Sequence, residues 1–119
     1  VQNHLHVVQA DLANPDPDPE DPQVESDHVA TLETEIDGYD EELAPLQSFI
    51  LPGGGPSGAR LHHARTVVRR AERRTVELAQ SEPINETVVT YLNRLSDLLF
   101  TLGRVANARD GEPEESPTY

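Results

Sequence analysis

Apolar residues recur three and four positions apart along most of the chain, which is the spacing of one face of an α-helix. The pattern is most regular in two segments: one follows Ser57, a residue suited to cap a helix, and the other follows Pro83, which suits a first helical turn. The apolar positions are Leu61, Ala64, Val68, Ala71, Thr75 and Leu78 in the first segment and Val88, Leu92, Leu95, Leu99, Leu102 and Ala106 in the second. Because the stretch "SEP" between them is short, the pattern predicts an antiparallel helical hairpin.

Two more helices are predicted in the first half of the chain. The first covers residues 1–13 and ends at "NPDPDPEDP", because proline fixes φ and lacks an amide donor. The second begins at Ser26, a candidate N-cap, and is interrupted near its end by Gly38 and Pro45. Their apolar positions are Val1, Leu5, Val8 and Leu12 in the first helix and Val29, Leu32, Ile36 and Leu43 in the second.

These four helices indicate one all-α domain, an antiparallel helix bundle over residues 1–109. Residues 110–119 follow as an acidic C-terminal tail that we expect to be mobile. The helical pattern is already under way at Val1, so we also expect a further segment upstream.

The connection "FILPGGGPSG" combines an apolar head with a run of glycines. Glycine adopts backbone conformations closed to other residues, which would let this loop approach a ligand closely. The alternative is an ordinary helix–helix loop whose apolar residues Phe49, Ile50 and Leu51 are tucked into the core.

Charge is distributed unevenly along the chain. There are 22 Asp and Glu against 9 basic residues, all of them Arg, and the formal net charge is −13. Residues 1–48 hold 13 acids and no Arg, residues 49–109 hold 9 Arg and 5 acids, and the last ten residues hold 4 acids. The acidic coat predicts adaptation to high salt, with an acidic low-complexity insertion as the alternative. A basic middle inside that coat argues against nucleic-acid binding and favours a site for a small anion.

Several classes of protein and site are excluded. No cysteine is present, so disulfides and thiolate zinc sites cannot form. No apolar run approaches the length that spans a bilayer and the first residues do not form a secretion signal, so we expect a cytoplasmic protein without a membrane partner. His62 and His63 are adjacent and point about 100° apart on a helix, which does not suit a shared metal ion, and no metal site is predicted.

The helix "SGARLHHARTVVRRAERRTVEL" places charged groups beside its apolar stripe. Arg65, Arg69 and Glu72 fall within one narrow arc, Arg73 borders it, and Arg70 and Arg74 point elsewhere. A guanidinium stays charged and donates two parallel hydrogen bonds, so a group of Arg suits a triphosphate. The competing interpretation is a set of solvated ion pairs at i,i+4 spacing.

The next helix carries a second polar face, formed by Asn93, Asp97, Phe100 and Arg104 at helical spacing. No Ser or Thr in the sequence is marked as an activated nucleophile. An enzyme built on these two helices therefore takes its nucleophile from a cofactor or a substrate.

Two strings, "FILPGGGPSGARLHHARTVVRRAERR" and "YLNRLSDLLFTLGRVAN", resemble the PduO-type ATP:cob(I)alamin adenosyltransferases, closely over residues 46–109 and more loosely over residues 1–45. The resemblance implies a five-helix bundle, of which this chain supplies four helices, assembled as a homotrimer with ATP and cobalamin sites at subunit interfaces. It also implies transfer of the 5′-deoxyadenosyl group of ATP to the cobalt of cob(I)alamin, with release of triphosphate and with Mg²⁺ as a further cofactor. The nucleophile is then the Co(I) of the second substrate.

The resemblance assigns roles to individual residues. ATP-contacting positions of the family correspond to Arg69, Arg70, Glu72, Arg73 and Asn93. Arg65 corresponds to an Arg that pairs with an Asp across the subunit interface. Phe49 corresponds to the aromatic residue that crowds the lower face of the corrin and displaces its axial base, Phe100 also faces the corrin, and Asp97 supports the same motif. The implied catalytic residues are Arg65, Arg69, Asp97 and Phe49.

The family's N-terminal phosphate loop, and the first helix with the Asp partner of Arg65, have no counterpart in these residues; that loop is expected to order only around ATP. The resemblance implies a cobalamin reductase and an adenosylcobalamin-dependent enzyme as partners. Two other functions remain open from the sequence. One is a non-catalytic carrier of adenosylcobalamin, and the other is a helical oligomerisation module whose Arg residues pair with the acidic coat.

Overall fold

The computed structural model describes residues 1–118, which form four α-helices and no strand. The helices are α1 (Gln2–Ala13), α2 (Ser26–Asp40), α3 (Pro56–Ala79) and α4 (Thr87–Arg109). The predicted all-α class is therefore confirmed. Within the described residues, each helix is either too short or too polar to span a bilayer.

The predicted antiparallel hairpin is formed by α3 and α4. Gly58 near the start of α3 meets Asn107 near the end of α4, and Glu72 farther along α3 meets Asn93 near the start of α4. The helix α4 is also the central element, because it packs against α2 as well as α3 and touches α1. Its position explains why it holds most of the buried side chains.

Three helix starts differ from the sequence prediction. Glu25, not Ser26, is the N-cap of α2: its carbonyl accepts the amide of His28 at 3.1 Å, and the His28 ring accepts the amide of Glu25 at 2.9 Å. Gly55 precedes α3 with Pro56 in the first turn, so Ser57 lies inside that helix. Pro83 lies outside α4, which begins only at Thr87.

The late start of α4 leaves Asn85 free to join three chain segments. The carboxylate of Asp11, which is 6% exposed, accepts hydrogen bonds from the backbone amide of Val24 and from the Asn85 side chain, each at 2.8 Å. Asn85 also donates to the carbonyl of Val24 at 2.8 Å. The end of α1, the acidic loop and the α3–α4 connection are thereby held together.

The hydrophobic core is centred on Tyr91 of α4, whose side chain is completely buried. Its hydroxyl lies 3.0 Å from Nδ1 of His4, and burial raises the pKa of Tyr91 to about 12. The other buried members of the core are Val8, Val24, Val29, Leu32, Val88, Leu92, Leu95 and Leu98. Leu43, predicted to continue the stripe of α2, lies beyond that helix.

The apolar stripe predicted for α3 is confirmed in part. Of its six positions Thr75 is buried, Leu61, Ala64 and Val68 are half-buried, and Ala71 and Leu78 are exposed. Val68 packs against the hydrophobic core. The fully buried residues of α3 are Gly58, His62 and Thr75, so α3 meets α4 largely through small and polar residues rather than through a leucine seam.

The acidic tail was expected to be mobile, but residues 112–116 make defined contacts. Glu114 forms an ion pair with the buried Arg104, and the carbonyl of Glu115 accepts the amide of Leu51 at 2.7 Å. The tail therefore lies against the connection between α2 and α3.

Candidate functional site

A cleft of about 410 Å³ opens between the α2–α3 connection and the α3–α4 hairpin. Four of the residues predicted for the site line it: Phe49, Arg65, Asp97 and Phe100. Phe49 is 80% exposed, and Leu51 beside it is 45% exposed. The alternative in which the apolar residues of this loop are tucked into the core is therefore wrong, since Phe49 projects from the loop at the cleft.

Arg65 and Phe100 form one wall of the cleft. The guanidinium carbon of Arg65 lies 5.1 Å from the centre of the Phe100 ring, within the range of a cation–π contact. Burial lowers the pKa of Arg65, repulsion from Arg69 lowers it further, and Asp97 opposes both. Among the described residues no carboxylate oxygen lies within 4.0 Å of this guanidinium, so its charge is poorly compensated within the chain.

The next turns of α3 carry Arg69, Arg70 and Arg73, all three exposed. Over residues 1–118, none of them has a carboxylate within 4.0 Å; only Arg74 is paired on this helix, with Glu77 at 3.5 Å. The interpretation of this run as solvated i,i+4 ion pairs is therefore wrong for Arg69, Arg70 and Arg73. The positive charge of these three guanidinium groups is available to an external anion.

Glu72 does not neutralise these arginines, because its carboxylate faces α4. It accepts a hydrogen bond from the side-chain amide of Asn93 at 3.3 Å, and the oxygen of Asn93 in turn accepts one from Arg94. Arg94 is anchored on α2 by Glu33 at 3.0 Å. This chain of contacts fixes the orientation of the Asn93 side chain against the Arg-rich helix.

The predicted residues thus fall into two adjoining groups. Phe49, Arg65, Asp97 and Phe100 share the cleft, and Glu72 and Asn93 contact each other one to two turns away. Arg69 and Arg73 lie on the same side of α3 as this pair, whereas Arg70 points from another face of the helix.

A family model, described as cobalamin adenosyltransferase, matches residues 1–106. The chain belongs to the cobalamin adenosyltransferase family. Curated members similar to it include the corrinoid adenosyltransferase of Bacillus subtilis, 49% identical over 111 residues, which are 93% of this chain and 57% of that protein. The corrinoid adenosyltransferase of Mycobacterium leprae is 47% identical over 115 residues, which are 90% of this chain and 60% of that protein.

Solved structures of the same family share the fold. A phenylalanine-to-alanine variant of the PduO-type ATP:corrinoid adenosyltransferase from Lactobacillus reuteri, complexed with cobalamin and ATP, has a TM-score of 0.91 and 36% sequence identity. The match covers 99% of this chain and 66% of that one. The chain therefore spans less than two thirds of the length of these three relatives.

Asn107 is a residue beside the site that the sequence analysis missed. Its side chain accepts the amide of Gly55 at 3.0 Å and donates to the carbonyl of Gly53 at 2.8 Å. A Cβ added at Gly54 or Gly58 would overlap the same side chain. The glycines are thus required for close approach to Asn107, and this contact fixes the loop that carries Phe49.

His62 is a second missed residue. It is 1% exposed, neither ring nitrogen has a hydrogen-bond partner in the described residues, and burial lowers its pKa. Its ring packs 5.8 Å from that of Phe100 and lies against Gly103, where a Cβ would come within 2.8 Å. The buried imidazole therefore packs against Phe100 and supports the wall of the cleft that this ring forms. The only feature of the sequence that indicated a buried position for His62 was its four-residue spacing from Gly58, which places both residues on one face of α3.

Arg104 was grouped with the polar face of Asn93, Asp97 and Phe100, and this was wrong. It is 5% exposed and donates to Glu114 at 2.7 and 3.0 Å and to the carbonyl of Ala44 at 2.9 Å. Its charge is used inside the chain and does not face the cleft.

Proposed function

We propose that the protein transfers the 5′-deoxyadenosyl group of ATP to the cobalt of cob(I)alamin and releases inorganic triphosphate. The Co(I) electron pair forms the bond to the 5′ carbon, the bond from that carbon to the phosphate oxygen breaks, and triphosphate leaves with the electrons of that bond. Family membership supports this activity, as do the related structures complexed with cobalamin and ATP.

The observation that carries the proposal is the set of unpaired guanidinium groups beside an aromatic cleft. In the proposal, Arg69, Arg70 and Arg73 bind the triphosphate, whose negative charge grows as the carbon–oxygen bond breaks. Because no carboxylate of the described chain competes for Arg69, Arg70 or Arg73, their hydrogen-bond donors remain available to phosphate oxygens. Asn93, oriented by Glu72, contacts the nucleotide.

The cleft receives the corrin in this proposal. Phe49 crowds its lower face, Phe100 lines the same space, and Asp97 supports the arrangement. An apolar lower face disfavours a fifth cobalt ligand and makes reduction from Co(II) to Co(I) easier. Phe49 and the Arg-rich helix therefore act on different steps.

Mg²⁺ fits this arrangement without a protein cage. The described residues contain no group of three or more His, Asp or Glu side chains placed to hold a metal ion. Mg²⁺ at nucleotide sites is typically bound by phosphate oxygens, water and one or two carboxylates, and Glu72 is a carboxylate near the arginines. Bound Mg²⁺ would supply positive charge for the leaving triphosphate.

We further propose a homotrimer with sites at subunit junctions. Val67, Val76 and Leu78 of α3 are exposed apolar side chains that a neighbouring subunit would cover, and Arg65 is free to pair with a partner carboxylate. A cytoplasmic location, a reductase, an adenosylcobalamin-dependent partner enzyme and adaptation to high salt remain predictions.

Product analysis tests the proposed reaction. The full-length protein is mixed with chemically reduced cobalamin, ATP and Mg²⁺, and the products are separated by chromatography. We expect adenosylcobalamin and intact triphosphate in equal amounts. Tight adenosylcobalamin binding without turnover would identify a carrier instead, and binding of neither substrate would leave a structural module.

A further inference from the structure

The acidic tail is tied to the loop that carries Phe49. Gly111, at φ 73°, turns the chain back after α4, and the amide of Glu112 donates to the carbonyl of Asn107 at 2.8 Å. Beyond it, the Leu51 amide donates to the Glu115 carbonyl at 2.7 Å. The hydroxyls of Ser48 and Ser116 lie 2.8 Å apart. Tail and loop are therefore joined on both sides of Phe49.

Arg104 provides a further, charge-assisted connection between the tail and the loop. This guanidinium is 5% exposed, it makes two hydrogen bonds to the carboxylate of Glu114, and it donates to the carbonyl of Ala44 at the start of the same connection. A buried cation is costly unless it is paired, and loss of the Glu114 charge would leave Arg104 with only the carboxylate of Asp40, which lies beyond ion-pair distance. The hydrogen bond from Arg104 lowers the pKa of Glu114, so the pair stays charged at neutral pH.

Phe49 itself contributes little to its own placement. It is 80% exposed, so its ring has few partners within the chain. Its position is therefore set by the backbone on either side, at Ala44, Ser48 and Leu51, and each of these residues is held by Arg104 or by the tail.

We propose that Glu114 is a positioning residue: through Arg104 and the tail it fixes the α2–α3 connection so that Phe49 stands over the cleft. The role rests on the proposed adenosyl transfer, in which Phe49 removes the lower axial ligand of cobalamin. Glu114 touches neither substrate and acts through the loop.

The test compares Glu114→Gln with Glu115→Gln in the full-length protein. Both changes remove one negative charge from the tail, but within residues 1–118 the Glu115 side chain makes no hydrogen bond and only its carbonyl holds Leu51. Ser48→Ala is a milder second variant at an exposed position, in case Glu114→Gln lowers stability too far. Hydrogen exchange at the Leu51 amide reports on the loop. The absorption and electron paramagnetic resonance spectra of cob(II)alamin with bound ATP report how much of it has lost its axial base.

For Glu114→Gln we expect Leu51 exchange and the ratio of base-bound to base-free cob(II)alamin each to rise about ten-fold or more, the scale of a lost charge-assisted hydrogen bond. ATP affinity should be unchanged, Ser48→Ala should move both readouts the same way by less, and Glu115→Gln should match the wild type. The proposal is overturned if Glu114→Gln behaves like Glu115→Gln, or if it loosens Leu51 without changing the cob(II)alamin spectra. A wild-type protein that binds no cobalamin would refute the proposed function, and the exchange data alone would still report whether the tail holds the loop.

Discussion

Replacing Gly58 by alanine is expected to destabilise the protein, although alanine is normally the better helix residue. Gly58 lies in the first turn of α3, and a Cβ there would overlap the side chain of Asn107. Asn107 is 7% exposed and is held by its hydrogen bonds to Gly53 and Gly55. The Asn107 side chain can therefore make room for a Cβ only by breaking these two hydrogen bonds.

The magnitude follows from these contacts. Gly-to-Ala replacement inside a helix gains at most about 1 kcal/mol, and less in a first turn. Displacing Asn107 loses the hydrogen bond to the Gly53 carbonyl, worth about 1 kcal/mol, and leaves the buried amide of Gly55 without a partner, at a cost of about 1–3 kcal/mol. The lost contacts therefore amount to about 2–4 kcal/mol, and after the gain from alanine the net expectation is a loss of about 1–4 kcal/mol in the free energy of unfolding.

A double-mutant cycle measured by urea unfolding checks this reasoning. Gly58→Ala should lower the midpoint in the wild-type background, whereas in an Asn107→Ala background the same change should be neutral or stabilising, giving a coupling energy of about 2–4 kcal/mol. If Gly58→Ala stabilises both backgrounds equally, the clamp between the glycine loop and Asn107 does not exist.

Three other changes probe separate parts of the molecule. Phe49→Ala should slow formation of cob(I)alamin from cob(II)alamin while leaving the unfolding midpoint and ATP affinity unchanged, because the ring is exposed; a lowered midpoint would contradict this. Burial lowers the pKa of His62 and of His4, so as the pH falls the unfolded state binds protons at a higher pH than the folded state does. The free energy of unfolding should therefore fall as the pH drops below about 6.5. Identical urea midpoints at pH 7.5 and 5.5 would contradict this prediction. Asp11→Ala should cost about 3 kcal/mol in urea unfolding, because two donors lose their shared carboxylate; a cost below about 1 kcal/mol would show that water replaces it.

The sequence allowed the helices of the bundle to be predicted because each carries a 3,4 apolar repeat, and the leucine-rich face of α4 proved to be the core. The apolar repeat of α3 predicted its buried face only in part. Its contact with α4 uses Gly58 and His62, which do not count as apolar in a periodicity analysis, whereas Leu78 matches the period and lies exposed. Helix starts were missed where the capping group was unusual, as with Glu25 and His28.

The candidate site was predicted from residue types, and its geometry depends on contacts between distant segments. Spacing placed Arg65 and Glu72 on one face of a helix and Asn93 and Asp97 on another, and both faces meet in the structure. No local pattern could show that Arg104 pairs with a tail residue, because that partner lies beyond the end of α4 and is brought back only by the turn at Gly111.

The proposed function depends most on the claim that the unpaired arginines of α3 bind the triphosphate of ATP. The direct test is the rise in melting temperature that ATP and Mg²⁺ produce in the full-length protein and in its Arg69→Gln and Arg74→Gln variants. At an ATP concentration of about one hundred times Kd, the wild type should gain about 2.7 kcal/mol of stability. We expect Arg69→Gln to lose most of that gain, whereas Arg74→Gln, whose guanidinium is engaged by Glu77, should keep it. Equal gains in the two variants, or no gain in the wild type, would contradict the claim.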